Sequence, residues 1–203
     1  MRGRRLEVDE RLLDVAQSEF RRSVADFGSD PYQLLPHVEE CEKWARYLLH
    51  CRPTADSQAV LLAVWLHDIG HYPIPTDVDH AVRSAARAEA LLRTSGCDEA
   101  LAGRVLHCVR AHRCKDVVPT TLEARILACA DSASHMTDTM YFSMARDDKA
   151  SNVSFRAYAK LKRDLEDIAC FPEVASKLEE LSAAWFRVLQ AYDSLELLGT
   201  GNA

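Results

Sequence analysis

Apolar residues recur at intervals of three and four along almost the whole chain. Leu13, Ala16, Phe20, Val24 and Phe27 predict a helix over about 9–27. The segment "DSQAVLLAVWLHD" opens on Asp56, a cap candidate, and is apolar almost all round, which predicts a buried central helix. The same periodicity predicts helices over about 37–51, 79–94, 98–113, 120–139 and 153–168. In a last helix, about 173–197, Val174, Leu178, Leu181, Trp185, Val188, Tyr192 and Leu195 alternate spacings of four and three, the mark of a packing stripe. No stretch alternates as a strand would, and no internal repeat is present. The clearest loops are "PIPTDVD" (73–79) and "RCKDVVPT" (113–120). Thr120 or Thr121 is the candidate cap of the helix that follows, and Glu123, three residues after Thr120, completes a capping-box pattern. The expectation is an all-α fold, a single-domain helical bundle over 1–203.

Composition narrows the setting. With 203 residues, 48% of them hydrophobic, the chain is long enough for one domain with a substantial core. A formal net charge of −6 argues against a nucleic-acid partner, whose protein surface would be basic. The start "MRGRR" precedes no apolar h-region, and the longest apolar run, Ala59 to Leu66, is far short of a membrane span. A cytoplasmic protein is expected. The seven cysteines sit mostly inside helical patterns, as small buried hydrophobes do. The one zinc-like cluster, His107, Cys108, His112 and Cys114, points its ligands around a helix rather than to one side, so structural zinc is not expected.

The chemistry concentrates where helices end. "AVWLHDIGH" places His67 and Asp68 together at the end of the most apolar helix. Neighbours on a helix diverge by about 100°, so they share an ion only where the helix stops, and Gly70 and Pro73 are expected to stop it. His37 begins another helix, just after Pro36. Asp131 lies inside the apolar "RILACADSASHM", where an unpaired carboxylate would be costly. Two imidazoles and two carboxylates form a mixed set suited to a divalent transition metal, with Mn, Fe, Co or Ni ahead of Zn and Mg also compatible.

The order His37, His67-Asp68, Asp131, with "HAVRSAARAEALL", "VLHCVRAHR" and "TLEARILACAD" around it, resembles the HD-domain superfamily of metal-dependent phosphohydrolases, from about 37 to 135. The resemblance implies an HD-type helical fold and hydrolysis of a phosphate ester or anhydride, the substrate being a nucleotide or another small phosphorylated metabolite. It assigns the metal to His37, His67, Asp68 and Asp131, with Asp68 also orienting the attacking water. In two-metal relatives, histidines placed like His80 and His112 hold a second ion bridged by Asp68. The alternative is that both only contact substrate beside one tightly held ion, and the four-residue signature leans to that. His71 and His112 are catalytic candidates, and Arg113, Lys115, Arg83 and His80 are candidate phosphate contacts. His107, His135 and His50 are expected in core, supporting or capping roles. Two other readings stay open: a di-iron oxygenase, whose extra histidines His80 and His112 would supply, and a non-catalytic ligand-binding HD domain. A homodimer is left open.

Overall fold

Aspartate side chains decide where several helices begin. In the computed structural model, which describes residues 8–72, 77–147 and 153–194, the helices are α1 (Glu10–Phe27), α2 (Leu34–Cys51), α3 (Ser57–Leu66), α4 (His80–Thr94), α5 (Glu99–Ala111), α6 (Leu122–Thr137), α7 (Met140–Asp147), α8 (Val153–Ile168) and α9 (Pro172–Ser194). Asp9, Asp56, Asp79 and Asp98 cap α1, α3, α4 and α5, each accepting backbone N–H groups that the first turn leaves unpaired. Among the described residues there is no strand, and no helix is long and apolar enough to cross a membrane. Pro73, the start of the expected 73–79 loop and Leu195 lie outside the described residues.

The start of α2 and the stretch after α6 differ from the sequence reading, and the cap of α6 resolves to one of its two candidates. Helix α2 starts at Leu34 rather than near 37. Gln33 takes a left-handed turn (φ 54°), and the Asp30 carboxylate accepts the amides of Leu34 and Leu35 at 2.8 and 3.0 Å. Pro36 then sits in the first turn, where its missing N–H costs nothing. Thr121, not Thr120, caps α6 and accepts the Ala124 amide at 3.2 Å. The expected capping box is absent, because Glu123 accepts the backbone N–H of Asp56 at 2.9 Å and so ties the start of α6 to the start of α3. The stretch after Asp138 forms the short helix α7, which the periodicity did not announce.

Helix α3 is the axis. Every residue from Gln58 to Leu66 is buried, with α1, α2, α5 and α6 around it. Phe20 of α1 meets Trp65 edge-on at 5.8 Å, and the Trp65 indole N–H donates to Glu42 at 2.6 Å. Helix α6 is the second axis, packed between α2 and α8, with α9 closing over both α6 and α8. The inward face of α9 is Val174, Leu178, Trp185 and Leu189, whereas Leu181 is at the exposed edge of the expected stripe. The described side chains of α9 stop short of Tyr192. The Trp185 N–H donates to the Met136 carbonyl at 2.9 Å, fixing α9 against the end of α6.

Asp56 carries two of these joints, since it caps α3 at Ala59 and accepts Arg104 Nε at 2.9 Å. Asp56→Ala is expected to lower stability by about 1 kcal/mol, the usual cost of a lost cap. Urea denaturation with an unchanged slope would read it, and an unmoved midpoint would show the cap to be idle.

Candidate metal centre

Two helices end on a histidine, and both use the same local device. His67 is the C-cap of α3 and His112 the C-cap of α5. Each places Nδ1 2.7 Å from the carbonyl three residues earlier, Val64 for His67 and Val109 for His112. A carbonyl only accepts, so each ring presents an N–H at Nδ1 and turns Nε2 inward. Burial, followed by the neighbouring His67, lowers the His112 pKa to about 4, so that ring is neutral at ordinary pH. His67 Nε2 is buried and has no hydrogen-bond partner. A buried acceptor left this way is costly, and a cation would satisfy it.

The turn after α3 is set by close approach. The helix ends at Leu66, before Gly70 is reached, so Gly70 serves a different purpose from the expected stop. Its N–H donates to Ser84 Oγ at 2.9 Å, and a Cβ there would lie 2.4 Å from Ser84 N and 2.6 Å from the Arg83 carbonyl carbon. Only glycine lets α4 lie this close, and this brings His80, the first residue of α4, to 3.3 Å between its Nε2 and Asp68 Oδ1.

The result is two sets of donors that meet at Asp68. His37, His67 and Asp131 form the first, and Asp68, His80 and His112 the second; within each, the donor atoms lie within 4.8 Å of one another. Asp131 Oδ1 is 3.2 Å from His37 Nε2 and 3.8 Å from His67 Nε2. Asp68 turns Oδ2 towards His67 Nε2 at 3.7 Å and Oδ1 towards His112 Nε2 at 3.8 Å. His80 and His112 face each other, Nε2 to Nε2, at 3.4 Å. Burial opposes ionisation of both carboxylates, yet each is held well below the usual carboxylate range. The imidazoles of His67, His80, His71 and His112 do this for Asp68, and those of His135, His37 and His67 for Asp131. Burial would lower the His37 imidazolium too, but its bonds to Asp131 and Asp138 outweigh it and raise the pKa to about 10. Charge-rich, buried and donor-dense, the site fits a divalent cation.

A cavity of about 860 Å³ opens above these groups. His37, Asp68, Asp131, His80 and His112 line it, as do His71, Arg113 and Lys115. His71 is half-buried, with its pKa lowered by burial despite the pull of Asp68. Arg113 is anchored on the α4 cap Asp79. Arg83 does not line the cavity; its guanidinium donates to the carbonyls of Val78 and His71, steadying the segment after the dyad. His107 accepts the Thr120 amide at 3.3 Å, away from the centre, and His50 is exposed. Cys108 is buried, and neither it nor Cys114 joins a donor set among the described residues.

Several cavity residues went unnoticed in the sequence. Asp138, the C-cap of α6, faces His37 Nδ1 at 3.1 Å, and Ser134 Oγ lies equally close to that nitrogen. Lys160, Arg163 and Asp164 reach the cavity from α8. Asp164 left a trace that could have been read: a carboxylate on the apolar stripe Ala157, Leu161, Ile168.

A family model described as HD domain matches residues 35–136, half of the chain. No curated protein and no solved structure matches it.

Proposed function

The chain belongs to the HD-domain family, and from that premise we propose that it is a metal-dependent hydrolase of phosphate esters or anhydrides. The observation that carries the reading is one carboxylate, Asp68, that belongs to one donor set and faces His67 of the other. His37, His67, Asp68 and Asp131 would hold one divalent ion, and Asp68, His80 and His112 would hold a second. Such ions, when bound, acidify water and offset charge on phosphoryl oxygens. The side chains do the rest. Asp68 orients the attacking water between the two sets. His71, at the cavity wall, hydrogen-bonds the leaving group, and Arg113 and Lys115 bind the non-reacting phosphoryl oxygens. The cavity is in the size range of sites for small organic ligands, which supports a nucleotide or a similarly sized phosphorylated metabolite.

One experiment addresses both metal and substrate: elemental analysis of the purified protein, joined to a screen of nucleotides and phosphorylated metabolites with Mn²⁺, Co²⁺, Ni²⁺, Fe²⁺ and Mg²⁺. The same four histidines and two aspartates also suit the di-iron oxygenase reading. Oxygen consumption by the iron-loaded protein, with no phosphate released from any substrate, would favour that reading. The cationic wall of Arg113 and Lys115 favours hydrolysis.

His112 decides the number of ions. If it is a ligand, His112→Ala lowers metal content from roughly two ions per chain towards one. If it contacts only substrate, KM rises or kcat falls at unchanged metal content. The inward Nε2 lone pair, 3.8 Å from Asp68, leads us to expect the first outcome. Unchanged stoichiometry with unchanged kinetics would remove His112 from the site.

A further inference from the structure

The fifth histidine around the centre belongs to neither donor set. His135 follows Asp131 by one turn of α6, stacks on His37 with ring centroids 4.9 Å apart, and brings Nε2 to 3.4 Å from Asp131 Oδ1. That oxygen already faces His37 and His67. What His135 offers Asp131 depends on its tautomer. With Nε2 protonated it turns the positive end of an N–H towards the carboxylate. With Nδ1 protonated it sets a lone pair against it.

The choice is made on the other side of the ring, by residues of α7 and α8 that lie beyond the matched family region. Lys160 Nζ is 2.8 Å from His135 Nδ1 and 2.5 Å from Asp164 Oδ1. Asp164 is 1% exposed and is fixed in turn by the Tyr141 hydroxyl, which donates to Oδ2 at 2.7 Å. An ammonium has donors and no acceptor, so the nitrogen it approaches must present a lone pair. Asp164 Oδ2 also lies 3.4 Å from Nδ1, and without Lys160 that carboxylate would draw the ring proton to Nδ1. The shorter contact belongs to the ammonium.

We propose that Lys160 is a positioning residue: by donating to His135 Nδ1 it holds His135 in the Nε2–H tautomer that steadies Asp131. The chain of polar contacts then runs Lys160 to His135 to Asp131, and it leaves His135 a support for the metal ligands instead of another ligand. The importance of the centre rests on the proposed metal-dependent function, but the tautomer does not. Partners one step removed from a metal commonly change affinity by 10–100-fold when lost.

The test uses the full chain, first freed of metal and labelled with ¹⁵N at histidine. Long-range proton–nitrogen spectra report which nitrogen of His135 is protonated, and calorimetric titration with Mn²⁺ reports affinity. The wild-type ring is expected to be Nε2–H. Lys160→Met, similar in shape but without donors, should convert it to Nδ1–H and weaken Mn²⁺ binding by about 10–100-fold. Lys160→Arg, which keeps donors, should restore both in large part. A wild-type Nδ1–H ring would overturn the proposal, even if the methionine variant failed to fold. So would an unchanged tautomer in Lys160→Met, or a rise in KM alone with Mn²⁺ affinity intact, which would make Lys160 a substrate contact. A wild-type protein that binds no Mn²⁺ but shows the Nε2–H ring would overturn the metal reading and leave the tautomer assignment standing.

Discussion

Asp68→Ala is expected to reduce metal-dependent hydrolysis to background while the chain keeps its helical circular dichroism. Asp68 belongs to the second donor set and also faces the first, with Oδ2 towards His67 and Oδ1 towards His80 and His112. Its loss takes one ligand from each proposed ion at once, so metal content should fall together with activity. The fold should survive because the helices around the dyad are held elsewhere. Helix α3 is buried from Gln58 to Leu66, and the turn after it is pinned by the bond from Gly70 to Ser84. Asp68→Asn separates charge from shape. The carboxylate is kept ionised against burial by the surrounding imidazoles, His67 first, so an amide of the same size removes the charge and one acceptor oxygen and little else. It too should lose activity. Full activity in either variant, measured on the best substrate of the screen, would rule out the centre.

The parts of the site that the sequence disclosed are those fixed by local rules. His67 and Asp68 could be recognised because an apolar helix ends on them. Asp131 could be recognised because a carboxylate inside "RILACAD" needs a partner. Their order with His37 carried the family resemblance. Caps were legible to within a residue, as Thr121 shows, because capping needs only a side chain and an amide two or three positions on. The partner chosen by Glu123 was not legible, since it depends on α3 and α6 starting side by side.

What stayed hidden depends on tertiary placement. Asp138 meets His37 only because α6 stops at Thr137 and leaves Asp138 as its cap. Helix α7 is short, and its buried Tyr141 is held by Asp164 of α8 and packs on Trp185 of α9, contacts remote in sequence. Lys160 reads in the sequence as one of several charges on an amphipathic helix, and only the packing of α8 on α6 turns it towards His135. Arg83 shows the converse: its closeness to the dyad in sequence suggested a phosphate contact, but it is engaged with backbone carbonyls at the foot of α4.

Gly70→Ala should cost both stability and one of the two proposed metal positions. The added Cβ would meet Ser84 N at 2.4 Å, the Arg83 carbonyl carbon at 2.6 Å and Arg83 Cβ at 2.9 Å. The first two belong to backbone of α4, which cannot swing aside as the end of a side chain can. Relief requires α4 to move off the turn after α3. Overpacking of this kind typically costs 1–3 kcal/mol, which for a chain of this size corresponds to a melting temperature lower by about 2–12 °C. His80 opens α4, so the same displacement draws its Nε2 away from Asp68 and His112. The first donor set lies on α2, α3 and α6 and does not depend on α4. Metal content should therefore fall from roughly two ions towards one, with the remaining ion bound about as tightly as in the wild type. Ser84→Ala is the control, because it removes the hydroxyl that accepts the Gly70 amide without adding an atom at the contact. It should destabilise by about 1 kcal/mol and keep both ions. If Gly70→Ala melts with the wild type and retains its full metal content, close packing of α4 is not what holds His80 at the centre.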